Sequence, residues 1–133
     1  MNHERALLLA EALESGRYIQ GFKVLERHIR NEDGTESVRN CCLGVATRLA
    51  QGNGIDLSEE IDSRGVVEFD GEACGMTHRV QSWFGFKTSG GVFDGDGHPG
   101  MVDGFASLMG MNDSEEADFN EIARVIRENW ESL

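Results

Sequence analysis

The apolar residues of this chain repeat with a helical period at its two ends and in short, broken patterns between them. Near the start, Ala6, Leu9, Ala12 and Leu13 share one face of residues 3–14, and Gly16 offers a left-handed stop, which predicts a helix. At the far end, Phe119, Ile122, Ala123, Ile126 and Trp130 recur at helical spacing. Asp118 with Glu121 three residues on reads as an aspartate variant of the capping box, and Arg124 and Glu128 form an i, i+4 pair on the outer side.

The middle is more mixed. FKVLERHIR (22–30) is strand-like in part, NEDG (31–34) signals a tight hairpin, and TESVRNC returns as its second strand. A helix from about Cys42 to Ala50 follows and ends at Gly52 or Gly54. IDLSEEID (55–62) is expected to hold one helical turn, and VVEFDG (66–71) a strand with an Asp-Gly turn. THRVQSWFG (77–85) reads as a short helix capped by Thr77 and stopped by Gly85, with Val80, Trp83 and Phe84 inward. Residues 87–104 are glycine-rich and predict an exposed loop around a brief strand at Val92 and Phe93. Phe86, Val92 and Phe93 are candidates there for an exposed partner surface. Helices and strands mix without regular alternation, so the expected class is α+β. The expected architecture is a small antiparallel sheet or hairpin packed with several short helices and closed by a C-terminal amphipathic helix. A length of 133 residues fits a single globular domain, 1–133.

Charge changes this picture more than composition does. The net charge is −12, and all of it lies in residues 49–133, because residues 1–48 are electrically neutral. Such a balance disfavours direct nucleic-acid binding and anionic membranes, which require cationic neutralisation of phosphate. It favours a basic host protein, or a cation, at the acidic half. No apolar run approaches the ~20 residues of a membrane span. The first segment lacks the basic leader and cleavage site of a secretory signal. Three cysteines is an odd, low number, which points to a reducing cytoplasm.

Two of those cysteines are adjacent, in RNCCLGVATRLAQG (39–52). As free thiols at a strand-to-helix junction, Cys41 and Cys42 read first as small buried hydrophobes, with Gly44 admitting a close neighbour. A second reading makes Cys42 a nucleophile at the positive end of a helix dipole. His98 or His78 would then be its base, oriented by Asp96 or Asp103. A third reading is a metal site from Cys74 and His78, spaced C-x3-H, completed by Cys41 or Cys42. DGDGH (94–98) fails as a calcium-binding EF-hand loop, since Pro99 and Phe105 stand where glycine and a carboxylate are needed. A looser cation site from Asp94, Asp96 and Asp103 stays open beside a plain solvated turn. Arg17, Lys23, Arg27, Arg30 and Arg39 lie in the neutral half; where the hairpin puts some of them on one face they form a candidate phosphate patch, against a dispersed solvated face. Tyr18 and Gln20, beside Gly21, either meet a ligand or pin the first helix to the sheet.

Four stretches carry a resemblance: SGRYIQGFKVL (15–25), NCCLGVATRLA (40–50), MTHRVQSWFGF (76–86) and GMNDSEEADFNEIARVIRENW (110–130). Together, and in this order, they resemble a family of small, mostly uncharacterised proteins of actinobacterial phages and related prophages, with Cys-Cys-Leu-Gly-Val as the specific motif. The resemblance implies a phage origin and a shared fold, and supplies no activity. The expected function is therefore a non-catalytic, phage-encoded accessory protein of the host cytoplasm, without a cofactor. It would bind a host protein or a small host signal and modulate host physiology or defence. Asp94, Asp96, His98, Glu115, Glu116 and Asp118 are its candidate contacts. The alternative is a Cys–His hydrolase or transferase built on Cys42.

Overall fold

Asn2 starts the first helix, α1 (His3–Glu14), by accepting the Arg5 N–H on its side chain at 3.1 Å. The structure is a computed structural model that describes residues 1–94 and 105–133. After α1, a two-residue strand β1 (Ile19–Gln20) leads to a hairpin of β2 (Glu26–Arg30) and β3 (Glu36–Asn40). Asp33 makes the hairpin turn by accepting the Thr35 N–H at 2.9 Å. β3 is the centre of the sheet: β1 runs parallel to it and β2 antiparallel, in the order β1-β3-β2.

Helix α2 (Cys42–Gly52) follows directly and lies in the core. Its Gly44 is required by packing: a Cβ there would sit 1.7 Å from the Leu25 carbonyl oxygen. Next comes a second hairpin, β4 (Glu59–Ile61) and β5 (Val67–Phe69), joined to β2 by a bridge between Arg27 and Val66. A helical turn is not found within residues 55–62, where β4 stands instead. Asp62 explains this: its Oδ1 accepts the N–H groups of Arg64 and Val66, which closes a turn and sends Glu59–Ile61 back along β5.

Helix α3 (His78–Phe84) is capped by Thr77, whose hydroxyl accepts the Val80 N–H, and is stopped by Gly85 at φ 77°. β6 (Val92–Asp94) pairs with β7 (Phe105–Ser107), and α4 (Leu108–Asp113) and α5 (Phe119–Asn129) complete the chain. Neither β7 nor α4 is signalled by periodicity, because α4 has only six residues, with glycine inside it. Ser107 starts α4 by accepting the Gly110 N–H. Of the three candidates for an exposed partner surface, Phe86 and Phe93 are buried and Val92 is exposed; β7 pairs with the strand that carries Phe93.

The fold is α+β, as the mixture of patterns implies. One cluster of buried side chains runs from Ala6 to Leu133. In it α1 packs along α5, with Leu9, Leu13, Ile122 and Ile126 inside and Arg127 paired with Glu14 across the rim. Arg5 lies over the Trp83 ring at 4.3 Å, and His3 stacks on Trp130 at 4.5 Å. Among the described residues no helix is long and apolar enough to cross a membrane.

Candidate functional site

Cys41 is the N-cap of α2 and Cys42 its first residue; they are 4% and 0% exposed. Cys42 Sγ donates to the Leu108 carbonyl at 3.5 Å. Burial pushes the Cys41 thiol up to about 12 and the Cys42 thiol well above its ordinary value. The helix dipole acts the other way but contributes only about 1 kcal/mol, less than the desolvation of a fully buried thiolate. The arrangement is that of packing residues, and it gives Cys42 neither thiolate character nor contact with water. His78 is exposed on α3, where its ring meets Ser82 Oγ at 3.4 Å. Cys74 is exposed, and no group of three or more potential metal ligands forms among the described residues. Asp96, His98 and Asp103 lie outside the described residues.

Cys41 provides no side-chain cap, yet the Cys42 N–H is not left alone. It donates to Oδ1 of Asn112, a fully buried residue of α4, at 3.1 Å. The same oxygen accepts from Gln20 Nε2 at 3.3 Å, while Asn112 Nδ2 donates to the Gly21 carbonyl at 2.8 Å. Gln20 also donates to the Ala117 carbonyl at 2.9 Å, so it pins the sheet to the segment between α4 and α5. Asp113 Oδ1 accepts the Lys23 N–H at 2.8 Å. Asn112 and Asp113 thus hold residues 20–23 against residues 113–117.

A cleft of about 320 Å³ lies between these two segments and the sheet, lined by Gly21, Phe22, Lys23, Val24, Arg27, Ile29, Arg39 and Glu115. Alternation along the strands explains its chemistry. Glu26, His28 and Asn40 project to the face packed on α2. Arg27, Ile29 and Arg39 project to the other face, which is open. The register places Arg27 directly opposite Arg39, with Ile19 on the other side of Arg39. Like charges directly opposite destabilise a sheet, and neither arginine side chain has a carboxylate partner among the described residues. Lys23 adds a third cation and Glu115 a single carboxylate, likewise without an ion pair among the described residues. Lys23 and Glu115 both have positive φ, 70° and 62°, a conformation that L-residues with side chains seldom adopt. Of the five cations singled out in the sequence, three therefore converge; Arg17 turns back on Ser15, and Arg30 lies on the opposite face, across from Glu36.

On the covered face, Glu26 is buried and accepts from Arg48 Nε at 2.7 Å, His28 Nε2 at 2.9 Å and Asn40 Nδ2 at 2.9 Å. Burial alone would raise its pKa; the donors from Arg48, His28 and Asn40 overcome burial and hold the carboxyl at about 2. Hydrogen bonding to Glu26 raises the His28 pKa; burial opposes it, and the hydrogen bond to Glu36 adds to the rise. Arg48 also reaches Glu59 at 2.9 Å. This network consumes its charges internally, whereas the cations of the cleft stay open.

The acidic candidates separate by role. Glu115 lines the cleft, and Glu116 is exposed beside it with its N–H on Ser114 Oγ. Asp118 caps α5 by accepting the Glu121 N–H at 2.8 Å. Asp94 ends β6, exposed. Sequence reasoning missed Asn112, whose role depends on partners scattered along the chain, and Phe22, for which the available signal was an aromatic residue set between Gly21 and Lys23. Residues 1–130 match the model of a family described as a domain of unknown function, DUF8296. No curated protein and no solved structure matches the chain.

Proposed function

The chain belongs to the DUF8296 family, and we propose that it is a non-catalytic binding protein that holds a negatively charged partner on the open face of its three-stranded sheet. The observation that carries this reading is the Arg27–Arg39 pair, two like charges placed opposite one another in the register and left without counter-charge among the described residues. The strained Lys23 and Glu115 support it, because unfavourable backbone geometry gathers at binding sites more than elsewhere.

The setting is the one the Cys-Cys-Leu-Gly-Val resemblance implies: a phage-encoded accessory protein in the host cytoplasm, acting on a host protein or small host signal. The sign of the partner follows from the cleft. Asp118 is occupied as a cap and Glu115 stands alone among three cations, so the surface suits an anion better than a basic protein. A cysteine-based enzyme draws no support from a thiol without exposure.

The test incubates the protein with host-cell extract, removes unbound material and weighs the complex by native mass spectrometry. Wild type is expected to retain added mass that the Arg27→Ala/Arg39→Ala variant loses. Equal retention by both proteins, or none by either, removes this surface as the binding site.

A further inference from the structure

We propose that the cleft beside Arg27 and Arg39 takes a small phosphorylated ligand of the nucleoside monophosphate class, with its phosphoryl group between the two arginines. This rests on the binding reading above and names the ligand it serves. Residues directly opposite on antiparallel strands have Cβ atoms about 5 Å apart, so two guanidinium groups can converge on one tetrahedral anion. Guanidinium forks match phosphate oxygens in pairs, which a lysine alone cannot do. Lys23 supplies the additional point charge. The backbone N–H groups of Phe22 and Val24, in the same wall, have no acceptor among the described residues and provide further donors.

The rest of the wall is not that of a bare phosphate site. Phe22 is 37% exposed, and Ile29 and Val24 are half-buried in the same lining, so an apolar shelf adjoins the cations. A flat ring can stack there, as bases do on aromatic side chains. Glu115 closes the lining with one carboxylate. It accepts from hydroxyl or amino donors, which a nucleoside carries, and repels additional phosphates.

Size and charge select a small ligand over a polymer. A volume of about 320 Å³ is at the lower end for small-molecule sites. The chain as a whole carries −12, so a nucleic acid or an anionic membrane would meet repulsion beyond the cleft. A ligand within the screening length of about 8 Å is governed by the three nearby cations.

The experiment titrates the full chain with inorganic phosphate, ribose 5-phosphate, the four common nucleoside 5′-monophosphates and a nucleoside triphosphate, followed by two-dimensional NMR and calorimetry. At least one monophosphate is expected to saturate with shifts at residues 21–24, 27 and 39, at least about tenfold tighter than inorganic phosphate. Arg39→Lys keeps the charge and loses the fork, and should weaken that ligand about tenfold with the spectrum of the fold unchanged. Phe22→Ala should erase the advantage of the nucleotide over ribose 5-phosphate and leave phosphate affinity unaltered. Glu115→Gln should favour the triphosphate. No saturable shift with any nucleotide, saturation insensitive to Arg39→Lys, or stronger binding to a phosphopeptide or to phosphatidylserine vesicles overturns the assignment. If nucleotides fail while the extract still yields an arginine-dependent mass, only the ligand class falls; if both fail, the binding reading falls with it.

Discussion

Asn112 caps a helix that starts seventy positions earlier in the chain: its Oδ1 accepts the N–H of Cys42 at 3.1 Å. The usual device is a local side chain at the N-cap, and Cys41 cannot supply one. Asn112 thereby couples α2, the segment at Gly21 and α4 in a single buried amide. Asn112→Ala would leave the Cys42 N–H and the Gly21 carbonyl without this partner. It should cost about 2–3 kcal/mol, read as a lowered urea midpoint at unchanged slope. A loss under about 0.5 kcal/mol would show that water replaces the amide.

Two glycines of the same helix should respond in opposite directions. Gly44→Ala drives a methyl into the Leu25 carbonyl and should destabilise by about 3 kcal/mol or more. Gly52→Ala meets nothing within 4 Å and should stabilise by about 0.5–1 kcal/mol. Thermal melts of the two variants against wild type decide it.

Thiol reactivity checks the placement of the cysteines. With iodoacetamide at neutral pH, mass spectrometry of the native protein should show one rapid label, on Cys74, and labels on Cys41 and Cys42 only after denaturation. Rapid native labelling of Cys42 would reopen the nucleophile.

Stability should have two pH limbs with separate origins. Glu26 has its pKa lowered to about 2, so its contribution is full above the unfolded carboxyl value of 4.5 and is lost as pH falls towards 2. His28 has its pKa raised, so its contribution is full below 6.5 and is lost as pH rises through the folded value. Maximum stability from this pair therefore lies between the two unfolded values. In denaturant melts across pH, His28→Gln should flatten the upper limb and leave most of the lower one, which Arg48 and Asn40 still support through Glu26. Glu26→Ala should also destabilise by about 1–2 kcal/mol at neutral pH, because Asn40 loses its carboxylate acceptor and Arg48 keeps only Glu59 as an ion pair.

The strained positions allow stability and binding to be separated. Lys23→Gly should raise stability by about 1 kcal/mol by accommodating φ 70°, and should weaken anion binding by removing a cation. Glu115→Gly should stabilise similarly and strengthen anion binding. Urea midpoints and phosphate titrations, measured together, test the pairing of signs.

The sequence exposed what is periodic or locally capped. α1, α3 and α5 declare themselves through Leu9, Val80 and Ile122 at regular spacing and through Thr77 and Asp118 as caps. β4 was hidden because EEI has no alternation and its direction is set by Asp62. α4 was hidden because its role is fixed by Asn112 contacts to residues far away in sequence. The convergence of Arg27 and Arg39 was half legible: the hairpin was predicted, but the register that opposes them is set by the turn at Asp33 and Thr35.

The seating of α1 along α5 has a consequence for the chain as it is synthesised. The apolar face that carries Leu9 and Leu13 leaves the ribosome before its partners Ile122 and Ile126, which follow more than a hundred residues later. At translation rates of about 5–20 residues per second the nascent protein spends seconds with that stripe uncovered. Chaperone capture or aggregation at α1 is thus the hazard of its biogenesis, and synthesis of α5 ends it.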